Sequence, residues 1–253
     1  MFHEDRRRAS SFGEAAEQYD RTRPTYPTDL IDYLVDDEPK QVLDVGCGTG
    51  IAARLLAARG CHVLGLEADG RMAEVARAHD LTVEQGTFEQ WDPAGRQFDL
   101  LTSAQAWHWV DPVRGAEKAA EALRSGGRIG LFWNRGQPPA QLQSAWDTVY
   151  LRMAPELGRG YAVPTDEDCQ VAADALQANG HFEQVASRVF AHTVDYTTAQ
   201  WLDQLPTHSD HRTLPADQLA AVLAAIGERI DQFGGQFEMA YNTWLVEART
   251  AAS

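Results

Sequence analysis

Apolar residues recur along this chain with two alternating periods. From Gln41 to Trp133, short apolar runs alternate with stretches whose apolar residues share one helical face. Gln41 to Val45 (QVLDV) runs into glycines and predicts a buried strand. Ile51 to Arg59 places Ile51, Leu55, Leu56 and Ala58 on one side and stops at Gly60, which predicts a helix. His62 to Leu66 and Gly70 to Ala78 repeat the pair. Leu81 to Gln85 predicts a third strand and Phe98 to Ser103 a fourth. A helix over Pro112 to Leu123 follows, then Ser125-Gly126-Gly127 turns into a fifth strand, Arg128 to Trp133. Strand and helix alternating at this spacing predict an α/β fold of right-handed βαβ units on a parallel sheet.

The pattern changes on both sides of this block. Phe12, Ala15, Ala16 and Tyr19 sit at helical spacing, and Ser10 or Ser11 can cap the start. Proline cannot continue a helix, so Arg23-Pro24-Thr25-Tyr26-Pro27 ends this one. A second short helix is expected around Asp29 to Val35. In the last third, Leu142 to Met153, Ala199 to Leu205 and Pro215 to Phe233 read as helices. Phe182 to Thr193 and Phe237 to Glu247 read as strands. The expected arrangement pairs these two strands at the sheet edge, with two helices inserted between them as a cap.

Composition narrows the class. The chain has 253 residues, enough for one full-sized domain, and 44% hydrophobic with 23% charged residues excludes global disorder. Lys+Arg number 22 and Asp+Glu 37, for a net charge of −15. An acidic chain repels polyphosphate, so no nucleic-acid partner and no anionic membrane surface is expected. Cys47, Cys61 and Cys169 are odd in number and lack C-x2-C spacing, which argues against a disulfide framework and a zinc cluster. MFHEDRRRAS is followed by no apolar stretch, and no window approaches the roughly 18 apolar residues of a membrane span. A cytoplasmic protein with reduced thiols is expected.

The sharpest chemical signal is V-L-D-V-G-C-G-T-G, Val42 to Gly50, between a strand and a helix. Glycines there let the backbone turn tightly and approach a ligand, and the helix N-terminus beyond favours an anion. A dinucleotide site wants G-x-G-x-x-G, but here Ile51 occupies the sixth position. Glu67 ends the second strand, where a carboxylate can accept two hydrogen bonds from a ribose diol.

These residues resemble the class I S-adenosylmethionine-dependent methyltransferases. The resemblance rests on V-L-D-V-G-C-G-T-G, on G-L-E-A-D around Glu67, on F-D-L-L-T-S in the fourth strand and on L-R-S-G-G-R-I-G-L-F before the fifth. F-x2-A-A-x2-Y-D-x2-R-P-x-Y-P, Phe12 to Pro27, looks like the small-molecule branch that includes trans-aconitate methyltransferase-like proteins. The resemblance implies a doubly wound, Rossmann-like, seven-stranded sheet in the order 3-2-1-4-5-7-6, with an antiparallel seventh strand. It divides residues 1–253, read as one domain, into lid helices (1–40), a donor-binding core (41–135) and a C-terminal part with a helical cap (136–253). It implies S-adenosylmethionine as cofactor, with S-adenosylhomocysteine as product.

Roles follow by position. Asp44, Gly46, Gly48 and Gly50 would line the methionine part, with Thr49 adding a hydroxyl. Glu67 would hold the ribose. Ala68 and Met72 would pack on the adenine, with Thr87 and Phe88 on its other side. Where many members carry an acidic residue near that position, Gly86-Thr87 stands here, and Glu89 follows. Tyr19 and Arg23, four apart on one helical face, would close over the donor, with Arg23 on its carboxylate; the alternative docks aromatics on the core and leaves Arg23 at the surface. Gln105, just past the fourth strand, is also placed at the cofactor.

Trp107-His108-Trp109 follows that same strand end, where ligands of parallel sheets bind. His108 is the candidate catalytic base for a hydroxyl, phenol or amine acceptor, and would only position a carboxylate. The alternative has His108 capping a turn while the indoles fill the core. Trp107, Trp109, Arg135 and Trp201 are the candidate acceptor contacts. His208 and His211 lack an evident third ligand, so no metal is expected. The competing functions are a non-catalytic cofactor-binding or regulatory protein, a nicotinamide-dependent oxidoreductase and a nucleic-acid methyltransferase. Ile51 disfavours the oxidoreductase; the charge, and S-A-Q-A where N-P-P-[YF] would stand, disfavour the nucleic-acid enzyme. A small-molecule partner, acting on a monomer or homodimer, is expected.

Overall fold

The structure, a computed structural model, describes residues 15–157 and 166–251. The helix start expected at Ser10, Ser11 and Phe12 lies outside the described residues. Seven strands form one sheet in the order β3-β2-β1-β4-β5-β7-β6. They are β1 (Gln41–Val45), β2 (His62–Glu67), β3 (Thr82–Gln85), β4 (Phe98–Ala104), β5 (Leu123–Gln137), β6 (Phe182–Thr197) and β7 (Gln236–Thr250). The first five pair in parallel, while β7 runs antiparallel between β5 and β6. This is the expected doubly wound topology.

Helices cover both faces. They are α1 (Ala16–Thr22), α2 (Thr28–Leu34), α3 (Ile51–Ala57), α4 (Gly70–Ala78), α5 (Pro112–Ala122), α6 (Ala140–Met153), α7 (Asp166–Asn179), α8 (Thr198–Gln204) and α9 (Ala216–Gln232). Central β1 is buried from Val42 to Val45, so it carries an almost unbroken apolar run instead of alternation. Caps read cleanly where the chemistry is local. The Asp111 carboxylate accepts from the Val113 and Arg114 amides, and Pro112 opens α5. Thr197 and Gln200 form a reciprocal capping box on α8.

Two differences from the sequence reading have physical causes. First, β5 begins at Leu123: Leu123 pairs with Phe98 and Arg128 with Leu100, so the glycine turn is a bulge within the strand. Second, α7 was not anticipated, although Cys169, Ala172 and Leu176 supply a buried helical stripe against the main core. The side chains there are small, and the pattern is correspondingly faint.

As expected, α8 and α9 lie between β6 and β7. They have a core of their own with α6. Trp146 stacks on Trp201 at 5.3 Å and 6°, and Phe237 meets both edge-on. The segment α1 bridges the two halves of the molecule. Asp20 accepts from Arg54 at 2.8 Å on α3 and contacts His79 at 2.9 Å beyond α4. Gln18 and Arg21 both hydrogen-bond Asp203 on α8. No helix of the described residues is long and apolar enough to cross a membrane.

Candidate active site

The cleft opens at the carboxyl ends of β1, β2 and β4, where the order of connection reverses direction. The glycine turn forms its floor. Gly46 has φ +67°, and a Cβ there would come within 2.5 Å of the Ala106 Cβ on the opposing loop. Only glycine lets these two segments close on each other. Gly48, also left-handed at φ +57°, would bring a Cβ into ordinary contact with the Met72 Cε at 3.5 Å.

Glu67 organises the turn. Its Oε2 accepts from the Gly48 amide at 2.8 Å and its Oε1 from the Asp69 amide at 2.9 Å. A carboxylate has about four lone-pair sites, so two remain for hydroxyls in the cleft. Desolvation raises the Glu67 pKa against the pull of those two amides.

Nine of the expected cofactor residues line this one cleft: Tyr19, Gly46, Gly48, Glu67, Ala68, Met72, Thr87, Phe88 and Gln105. Trp109 lines it as well. The sequence reading did not assign Asp69, Ala106 or Val110 to the site, although all three border it, and Glu89 borders it too. Glu89 Oε1 accepts from the Asp111 amide at 3.1 Å, which ties the far wall to the cap of α5. Asp69 carried a readable signal, a capping residue directly after the Glu67 strand end. Ala106 and Val110 had none, because apolar wall residues look like core. Gln105 holds φ +59°, a left-handed conformation few non-glycine residues adopt, and its amide donates to Phe132 O at 2.9 Å.

Several expected contacts lie elsewhere. Gly50 is behind the cleft as N-cap of α3, where a Cβ would sit 2.3 Å from Leu81 Cδ1; its need for glycine is helix packing. Thr49 is buried beneath the turn. Asp44 is fully buried and accepts from Thr102 Oγ1 at 2.9 Å, while its Oδ2 has no partner. Desolvation pushes the Asp44 pKa up to about 7, with the Glu67 charge adding to the rise and the Thr102 bond opposing it. Trp107 is a core residue beside Phe88, their ring centroids 5.8 Å apart. Trp201 belongs to the cap core. Arg135 lies over the Trp244 ring at 4.8 Å and reaches Cys169 Sγ at 3.5 Å, outside the cleft lining. For Trp107 and Trp201, burial of large apolar surface decided the position, a tertiary event that local spacing does not encode.

His108 is also outside the lining. Trp133 Nε1–H donates to His108 Nδ1 at 3.3 Å. An indole can only donate, so this bond assigns the lone pair to Nδ1 and the proton of the neutral ring to Nε2.

Arg23 does not line the cleft either. Its guanidinium stacks on Tyr19 at 4.8 Å, and NH1 lies 3.2 Å from Nδ1 and 3.1 Å from Nε2 of His208. His211 is held by Asp210 Oδ1 at 2.8 Å and by the Tyr150 hydroxyl at 2.9 Å.

The residues present fit an adenosyl group with an amino-acid tail. Glu67 offers paired acceptors, Met72 and Phe88 offer apolar faces, and Thr87 Oγ1 is buried without a partner. Fold and cleft together are similar to the donor-binding half of class I methyltransferases. Residues 42–127 match the family model described as a methyltransferase domain. Over that segment the chain is similar to methyltransferases. An uncharacterised methyltransferase of Mycobacterium bovis is 41% identical over 126 residues, 49% of this chain and 52% of that protein. The chain thus spans about half the length of the curated relatives it matches. A candidate type II methyltransferase from Anaeromyxobacter dehalogenans shares the fold, with a TM-score of 0.63 at 22% identity over 91% of this chain and 99% of that one. So does Haemonchus contortus phosphoethanolamine N-methyltransferase 2, at 0.53 and 14% over 96% of this chain and 60% of that one.

Proposed function

We propose that the protein transfers the methyl group of S-adenosylmethionine to an O, N or carboxylate of a small-molecule acceptor. The observation that carries this is Glu67. Its carboxylate stands at the strand tip, braced by the Gly48 and Asp69 amides, with two acceptor sites left for a ribose diol. When bound, the cofactor supplies a methyl group on a sulfonium, which is transferred by in-line displacement. The chain's task is then alignment and exclusion of water. Met72 and Phe88 would pack on the adenine, the glycine turn would hold the methionine part, and Tyr19 lines the cleft from α1. Arg23, adjacent to Tyr19, takes the donor carboxylate.

The acceptor enters between the cleft and the cap. The motif from Phe12 to Pro27 supports the trans-aconitate methyltransferase-like branch, and the −15 charge supports a small molecule over a nucleic acid. Residues 1–253 act as one domain of lid, donor core and cap, in the cytoplasm, as a monomer or homodimer. Calorimetry tests the core of this reading: S-adenosylhomocysteine binds and NAD does not. The opposite outcome sinks it. A metabolite screen with methyl-labelled donor then identifies the acceptor, and binding with no turnover on any acceptor would favour the regulatory alternative.

His108 separates two mechanisms. As a hydrogen-bond donor it contributes modestly, so His108→Ala lowers turnover about 2- to 10-fold and His108→Gln, which keeps an N–H, lowers it less. A loss of about 10²–10⁴ in both variants would instead assign His108 the role of base.

A further inference from the structure

We propose that Arg23 and His208 form a donor-operated latch. Arg23 occupies the His208 imidazole until a donor carboxylate draws the guanidinium away, and His208 is then released to take up a proton and hydrogen-bond the acceptor. The inference rests on reading the cleft as an S-adenosylmethionine site.

Arg23 closes α1, and His208 follows the short helical turn Leu205–Thr207 after α8, so the contact joins lid to cap across 185 positions of sequence. Its geometry is a weak one. A single guanidinium nitrogen lies about equally far from both ring nitrogens, at 3.2 and 3.1 Å. The lone-pair directions of the two nitrogens diverge, so neither bond can be linear. A carboxylate accepting linear, charge-assisted bonds from the same guanidinium is the stronger partner. Arg23 has no carboxylate partner among the described residues, and its Nε is buried without a hydrogen bond.

The cap side is built to receive a ligand. Gln204, one helical turn before His208, is fully buried, and both atoms of its amide lack partners. Buried polar groups are nearly always hydrogen-bonded, so an orphaned amide one helical turn before His208 is a candidate polar contact for a ligand. Behind His208 stands a second ring, His211, at 5.9 Å, fixed between Asp210 and Tyr150.

The charges facing His208 are Arg23 from α1 and Asp210 and His211 from its own loop, with Tyr150 of α6 beyond His211. Burial, then the Arg23 cation, hold His208 well below the ordinary histidine range, while Asp210 works in the opposite direction. Neutralising Arg23 with a carboxylate removes one of the three depressing influences, leaving burial and His211 against Asp210. A proton from solvent then binds the vacated ring nitrogen.

The test is calorimetry near pH 6 in buffers of different ionisation enthalpy, which counts protons exchanged on binding. S-adenosylhomocysteine is compared with 5′-methylthioadenosine, which carries the adenine, ribose and sulfur but no carboxylate. Asp44 and Glu67 respond to both ligands, so the difference between the two isolates the tail. Wild-type protein is expected to take up more protons with S-adenosylhomocysteine, and its affinity to weaken more between pH 6 and pH 8 than that of 5′-methylthioadenosine. The excess uptake is expected to vanish in His208→Gln. Equal uptake for both ligands, or an excess that persists in His208→Gln, overturns the latch. Because the ligand comparison needs only wild-type protein, it stands even if the variant does not fold. Absence of binding by both ligands would instead remove the donor-site reading itself.

Discussion

Glu67→Ala is expected to weaken S-adenosylhomocysteine binding by about 10- to 100-fold. The magnitude follows from the number of bonds lost. Hydrogen bonds to a charged group contribute roughly 1.5–3 kcal/mol, and each 1.4 kcal/mol is tenfold in affinity. The substitution also deprives the Gly48 and Asp69 amides of their acceptor, so the glycine turn loses its brace at the same time. Glu67→Gln keeps one acceptor oxygen and should fall between the variant and wild type. Calorimetric titration decides the matter: an affinity unchanged in Glu67→Ala would leave Glu67 a purely structural brace. Because the lost contact is to ribose, 5′-methylthioadenosine should weaken in parallel.

Asp44→Asn is expected to change the pH dependence of stability more than any other single substitution at the site. The Asp44 carboxyl has a folded-state pKa of about 7 against an ordinary value of 3.8. Between these values the folded state holds a proton that the unfolded state has released. Stability of the wild type therefore falls as pH rises from about 4 to about 7, and is steady for this group outside that window. Asn does not titrate. The stability difference should move in favour of Asp44→Asn by about 2–4 kcal/mol between pH 4 and pH 8, allowing for relaxation around a buried charge. Urea unfolding at the two pH values measures it, and other carboxylates cancel in the comparison. A difference that stays flat with pH would mean that Asp44 ionises normally inside the fold. The physical cause would then be sought at Oδ2, which has no hydrogen-bond partner in this structure.

The two residues illustrate different uses of the same chemistry. Glu67 is part-buried at the cleft wall and its charge is braced by backbone amides, so it is available to a ligand. Asp44 lies one layer beneath, held by Thr102, where a charge has nothing but the Glu67 carboxylate nearby to repel it. The sequence motif places both near the same turn and does not distinguish their depths.

What the chain determines locally was legible. The period of apolar residues from Gln41 to Trp133 encodes the strands and helices, because each element buries its own stripe on the sheet. Sheet order followed from the resemblance of the motifs, and the turn at Gly46 and Gly48 with Glu67 at the next strand tip required only adjacent segments. Only the tertiary structure decided the remainder. Trp107 and Trp201 were drawn into two separate cores because burial of an indole outweighs any local preference for a ligand wall. Gly50 is also held to glycine by Leu81 packed against it, and His108 is met by Trp133 from a neighbouring strand. The Arg23–His208 contact spans most of the chain, and neither residue has a neighbour in sequence that announces the other. A strand tip or a glycine turn is fixed by backbone geometry within a few residues. A lid against a cap is fixed by which distant surfaces bury each other, and no local pattern carries that information.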